Sequence, residues 1–288
     1  MVQQALPDLT IRQMAYLVAV VDEPSWAAAA DRVGVSPSAL SQGLAELERR
    51  LGVPLFESQG RRRVLRRSAG PVVEHARRVL ALTRDLVDWT DRVRGGRQGR
   101  VRLGMIDVAA VVHFPAVVAA FRTERPDVDL TLSVAPSAQL LRGLRDGELD
   151  LAVCVEPPGH HAGLAIEELR RETLAVMAPS GTTIGAPSTW GPWVTFPAGS
   201  HTRQLIVDAL AGLGARATVA AESHQPDVLV QMVRLGLGWT VLPVDSPTIG
   251  GSVVIGPELV ERVLVLARRA DSISDPAVDD LSHRLRQA

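Results

Sequence analysis

Ser36, Pro37, Ser38, Ser41 and Gln42 place small, hydrogen-bonding groups on one face of a short helical segment, and Arg61, Arg62 and Arg63 follow close behind. Hydroxyls and an amide can bond base edges, while guanidinium groups neutralise phosphates, so the two sets together suit double-stranded DNA. Gln42 is the best base reader of the group, because its amide can pair bidentately with adenine. Arg61, Arg62 and Arg63 would hold the DNA backbone or minor groove. A second polar set lies further on, in Asp107, Ser137, Ser200, His201, Thr202 and His224. These residues follow strands or open helices, where helix N-termini hold small ligands. Ser137 and Ser200 fit equally well as N-caps. Helix N-termini favour an anionic effector, and Asp107 would repel one unless it caps its helix or meets a cationic or hydroxyl group. No spacing suggests a metal site, cofactor site or catalytic residue: Cys154 sits in an apolar strand-like run and His160-His161 in a Pro-Gly loop.

The elements that must carry the DNA-reading set are legible between residues 25 and 56. Ser25 caps a helix with Trp26, Ala29, Ala30 and Val33 on one side, Gly34 turns the chain, and Val35 fills the corner. Ser36 caps the next helix, with Pro37 at its first position. Leu40, Leu44, Leu47 and Leu51 face a core, which leaves Ser38, Ser41, Gln42, Ala45 and Arg49 outward. Gly60 and the basic run to Arg67 read as a β-wing. Thr10 and Gln13 form a capping box for a supporting first helix.

From Ser68 a long helix carries Val72, Val79, Leu86 and Val93 at seven-residue spacing, with His75, Leu82 and Trp89 between them. Such a seam pairs with a twin, which sets two reading heads at fixed spacing. The predicted dimerisation residues are Val72, Val79, Leu82, Leu86, Trp89 and Val93. A Gly- and Arg-rich joint follows. Strands and helices then alternate to the end, with strands near 101–105, 130–134, 149–155, 173–178, 193–196, 217–222, 237–242 and 262–267. Helices fall near 113–124, 138–146, 201–213, 226–235 and 275–286. This rhythm predicts a mostly parallel sheet in two small α/β lobes.

The formal net charge of −1 over 288 residues hides an asymmetry. Residues 1–102 hold 17 arginines against 11 acidic residues, and residues 103–288 hold 14 against 21. A basic head on an acidic body is expected when one end meets nucleic acid. The single cysteine excludes an internal disulfide framework. The sequence shows neither an export signal nor a long apolar span, which predicts a cytoplasmic protein without membrane contact.

The order of parts resembles the LysR-type transcriptional regulators along essentially the whole chain. The likeness is densest at Ser25-Trp26 with Ala29-Ala30, at Val35-Ser36 with Ser38-Ala39-Leu40-Ser41, at Leu47-Glu48 with Leu51-Gly52-Val53 and Leu55-Phe56, and at Ser68-Ala69-Gly70. It continues at Phe121-Arg122, Pro126-Asp127-Val128, Gly147 to Ala152, and Gly236-Leu237-Gly238-Trp239. Gly43 departs from the pattern, standing where a larger polar residue is common. The resemblance implies an α+β multidomain fold: an N-terminal winged helix-turn-helix, a long linker helix, and a two-lobed α/β effector domain of the periplasmic-binding-protein (type 2) kind. The expected division is 1–67 for the DNA-binding domain, 68–94 for the dimerisation helix and 95–100 for a hinge. Lobe 1 takes 101–165 with 268–288, and lobe 2 takes 166–267. The implied function is regulation of transcription by a homo-oligomer, dimer or dimer of dimers, controlled by a small-molecule effector between the lobes. The alternative is a DNA-binding regulator that works through a protein partner without a small effector. An enzyme lacks its nucleophile–base pair, and a solute-binding protein would need an export signal.

Overall fold

The computed structural model describes residues 8–60, 62–95, 99–159, 161–245, 253–273 and 275–288. The chain forms two compact units, Met1–Asp91 with Arg145–Gly147 and Arg92–Leu144 with Glu148–Ala288.

In the first unit, α1 (Ile11–Asp22) opens on the Thr10–Gln13 capping box. α2 (Trp26–Arg32) is capped by Ser25, and α3 (Pro37–Leu51) by Ser36 with Pro37 in its first turn. Gly34 and Gly52 take φ of +68° and +70°, the left-handed conformation that ends the second and third helices without a Cβ penalty. Leu17, Leu40, Leu44 and Leu47 are fully buried together with Ala29 and Ala30. Each such leucine contributes about 1.5–3 kcal/mol, well above the roughly 1 kcal/mol that Gly43 costs mid-helix. Gly43 has a packing reason: a Cβ there would lie 2.7 Å from the Tyr16 ring, so the glycine lets α1 and α3 approach. β1 (Phe56–Gln59) and β2 (Arg62–Leu65) pair antiparallel as the wing, and α4 (Gly70–Gly95) follows a short 3₁₀ turn.

The second unit is built on one six-stranded sheet of order β4-β3-β5-β10-β6-β9 and a two-stranded sheet of β7 and β8. The strands are β3 (Arg100–Met105), β4 (Asp129–Val134), β5 (Leu151–Val155), β6 (Leu164–Pro179), β7 (Trp193–Thr195), β8 (Val219–Glu222), β9 (Thr240–Pro243) and β10 (Val253–Arg269). The helices are α5 (Pro115–Glu124), α6 (Ser137–Arg145), α7 (His201–Gly212), α8 (Pro226–Arg234) and α9 (Pro276–Arg286). A π-helical turn, Ala109–His113, precedes α5, so the helical segment expected from residue 113 starts earlier.

The expectation of a mostly parallel sheet is corrected. β3 runs parallel to β4 and β5, but β10 pairs antiparallel with both β5 and β6, and β6 antiparallel with β9. The reason is the pair of long strands, β6 and β10, which run in opposite directions and hydrogen-bond along most of their length. They carry the chain between two separate cores. One core gathers β3, β5 and the last turns of β10 with Phe121, Leu140, Leu144 and, from α9, Leu281 and Leu285. The other gathers Val176, Met177, Ile206, Leu229 and Val233 around Trp190, Trp193 and Trp239. The C-terminal helix thus belongs to the first core. In the second, Gly238 is required by close approach, since a Cβ would meet the Pro192 carbonyl oxygen at 2.5 Å.

Candidate functional site

Two sites emerge, one in each unit. In the first, α3 turns its leucines inward and leaves Pro37, Ser38, Gln42, Ala45 and Arg49 exposed, with Ser41 half-buried. Ser36 spends its hydroxyl on the Ala39 amide as the helix cap and lies 2.9 Å from the Ser38 hydroxyl. The exposed face is therefore small and polar at its N-terminal end, where a helix enters a major groove.

The wing is locked to α3 by Glu48, a residue to which sequence reasoning gave no role. One carboxylate oxygen accepts the backbone N–H groups of Leu55 at 2.8 Å and Phe56 at 3.1 Å. The other accepts from the Arg63 guanidinium at 2.6 Å. Arg63 also lies over the Trp26 and Phe56 rings, 5.3 and 5.0 Å from their centroids. Trp26 donates to the Arg63 carbonyl and meets Phe56 edge-on. Arg63 thus holds the wing in place. Arg61 lies outside the described residues, and Arg62 is placed on β2.

Along α4 the heptad seam divides. Val72 and Val79 are half-buried against the first unit's own core, whereas Leu82, Leu86 and Trp89 are exposed, by 55% at Leu86. His75 is exposed, and the Val93 side chain lies outside what is described.

The second site is a cleft of about 210 Å³ inside the second unit. Asp107, Ser137, Ser200, Thr202 and His224 all line it. His201 does not: its ring turns toward the Val155 carbonyl, with Nδ1 at 3.4 Å, and burial holds its pKa below the ordinary histidine value. Ser200 caps α7, as expected. Ser137 is not a cap; its buried hydroxyl accepts the Val155 N–H at 3.1 Å and ties α6 to β5. Asp107 caps neither the π turn nor α5. Burial, then the nearby Asp227 carboxylate, raise its pKa above the usual range.

Sequence reasoning missed the one buried charged side chain that lines the cleft, among the described residues. Arg262 on β10 stands in register with Glu172 on β6. Its Nε donates to Glu172 at 2.6 Å, and its Nη1 to the Thr202 hydroxyl at 3.3 Å. The second Glu172 oxygen lies 2.7 Å from Nε2 of His113. Burial pushes the Glu172 carboxyl up, but the charge and hydrogen bond of Arg262, with those of His113, outweigh it and hold the pKa below the ordinary carboxylate value. Both crossing strands, the π turn and α7 thus meet in one buried polar cluster. An arginine at the head of the apolar run Val263 to Ala267 is a local sign of it.

Residues 11–68 match the family described as "Bacterial regulatory helix-turn-helix protein, lysR family", and residues 94–288 match "LysR substrate binding domain". The chain belongs to the LysR family of bacterial transcriptional regulators. It is 30% identical over 255 residues to the "Probable hydrogen peroxide-inducible genes activator" of Mycobacterium avium, spanning 84% of this chain and 80% of that protein. The "Uncharacterized HTH-type transcriptional regulator YfeR" of Shigella flexneri is 26% identical, over 94% of this chain and 92% of its own. Among solved structures, full-length OxyR from Pseudomonas aeruginosa shares the fold with a TM-score of 0.61 at 24% identity, covering 96% of this chain and 95% of that one. CbnR in complex with its target DNA shares it with a TM-score of 0.58 at 20% identity, covering 97% and 99%. This LysR-family chain is accordingly a DNA-binding transcriptional regulator with a winged helix-turn-helix and a two-lobed substrate-binding domain. Among the described residues no helix is long and apolar enough to cross a membrane.

Proposed function

We infer that the chain acts as a homodimer, or a dimer of dimers, that reads promoter DNA through α3 and the wing and changes its grip when a small molecule fills the cleft. The observation that carries this reading is the exposed, small and polar N-terminal face of α3 above a fully buried leucine face. In it Ser36, Pro37, Ser38, Ser41 and Gln42 approach the groove, Arg61 and Arg62 hold phosphates, and Arg63 keeps the wing positioned. The division proposed from the sequence is DNA binding in 1–67, pairing in 68–94 and two lobes beyond a hinge at 95–100. The two cores of the second unit support the two lobes, while Ala69 and, from α4, Val73 and Ala76 pack into the first unit's core. The protein works in the cytoplasm, where promoter DNA lies, and performs no catalysis. The M. avium relative is named for peroxide, but that role does not suit this chain. Its only cysteine, Cys154, is buried with its thiol pushed up to about 12, and a peroxide sensor needs an accessible thiolate.

The test separates base reading from phosphate holding. Gln42→Ala should weaken binding to cognate DNA by about 1–3 kcal/mol and leave random DNA unchanged. Arg62→Ala should weaken both alike and lower the slope of affinity against salt by about one unit. Fluorescence anisotropy on both DNAs decides it. Equal losses for the two variants on the two DNAs would contradict the assignment.

A further inference from the structure

The cleft offers a carboxylate without a partner among the described residues and, elsewhere on its lining, a guanidinium with one spare donor. Its ionisable lining residues are Asp107, His224 and Arg262. Asp107 is half-buried, and among the described residues its carboxylate accepts no hydrogen bond and meets no cation. Its charged neighbour is Asp227 in the first turn of α8, which adds negative potential. Arg262 does not offset this, because its charge is matched by Glu172, and both side chains are only 4% exposed. A carboxylate in a partly dry cleft, with a second carboxylate nearby, selects an ammonium group.

The other sign is offered at α7. Arg262 uses Nε on Glu172 and Nη1 on Thr202, and its Nη2 makes no hydrogen bond among the described residues. Thr202 lies in the first turn of α7, a twelve-residue helix whose N-terminus carries partial positive charge. A buried guanidinium with a spare donor, beside a helix N-terminus, is a carboxylate seat. The cleft is also lined by the apolar side chains of Val108, Val134, Phe196 and Pro226.

We propose that the cleft binds an apolar α-amino acid, its ammonium on Asp107 and its carboxylate at the Arg262 Nη2 and Thr202 end of α7. This rests on the reading of the cleft as the ligand site and names the ligand's class. The space of about 210 Å³ suits a small molecule whose side chain packs on the apolar wall.

The full-length protein is melted by scanning fluorimetry with valine, leucine or phenylalanine. Each is matched by its deaminated acid (3-methylbutanoate, 4-methylpentanoate, 3-phenylpropionate) and by its decarboxylated amine (isobutylamine, 3-methylbutylamine, phenethylamine). At least one amino acid should raise the melting temperature in a dose-dependent way, with a Kd at least about tenfold below those of both its fragments. Asp107→Asn should weaken that amino acid at least about tenfold and narrow its advantage over the acid. Ala135→Trp, or Ala135→Leu should the larger side chain prevent a cooperative melt, fills the cleft and should abolish every shift. Three results overturn the ligand class: no shift with any of the three amino acids, an acid binding as tightly as its amino acid, or unchanged selectivity in Asp107→Asn. Shifts that survive filling at Ala135 overturn instead the cleft itself as the ligand site.

Discussion

Glu172→Leu should destabilise the two-lobed unit by about 3–5 kcal/mol, because it leaves the largely buried Arg262 guanidinium without its principal partner. Urea unfolding followed by the fluorescence of Trp190, Trp193 and Trp239 would read it. The double change Glu172→Leu with Arg262→Met should recover most of the loss, since a packed apolar pair of similar volume replaces a buried ion pair at little net cost. A single-variant loss below about 1 kcal/mol would show that the pair is solvated. The pH dependence has a definite sign. Glu172 has a lowered folded pKa, so its stabilising contribution is complete above the ordinary carboxylate range and disappears as pH falls through that lowered value.

Leu86→Asp should turn the assembly into monomers and weaken binding to paired half-sites by about 10²–10⁴-fold, the advantage that linking two reading heads confers. Leu82, Leu86 and Trp89 are exposed at heptad spacing on α4, while the earlier seam positions Val72 and Val79 already serve the chain's own core. In the proposed dimer a second helix covers this exposed stretch, and a charge at its centre should prevent that. Analytical ultracentrifugation and DNA titration of one preparation give both readouts. A variant that remains dimeric with native helical content would place the pairing surface elsewhere.

The first unit was legible almost residue by residue because its signals are local. Caps at Thr10, Ser25 and Ser36, glycine stops at Gly34 and Gly52, and a leucine stripe each act within a few positions. The tight Gly43–Tyr16 approach and the Glu48–Arg63 lock were not legible, because they depend on how elements cross in space. In the second unit the elements could be read but the strand directions could not: alternation of strand and helix looks parallel, while β6 and β10 reverse it. Five of the six residues expected at the cleft line it, each flanking a strand or helix end. Arg262 escaped because its meaning lies in Glu172, 90 positions away, and no periodicity links them. His201 was misplaced for the opposite reason: it stands beside true lining residues, but its ring turns to the Val155 carbonyl.

The central claim is that this front unit grips duplex DNA as a symmetric pair. Footprinting of the purified protein on the DNA upstream of its own gene, at about 50 mM salt, tests it most directly. The account predicts two protected half-sites related by a dyad and spaced by whole turns of about 10 base pairs, with protection lost in Leu86→Asp. Protection no stronger than on random DNA, or a single unpaired half-site bound by one subunit, would contradict it.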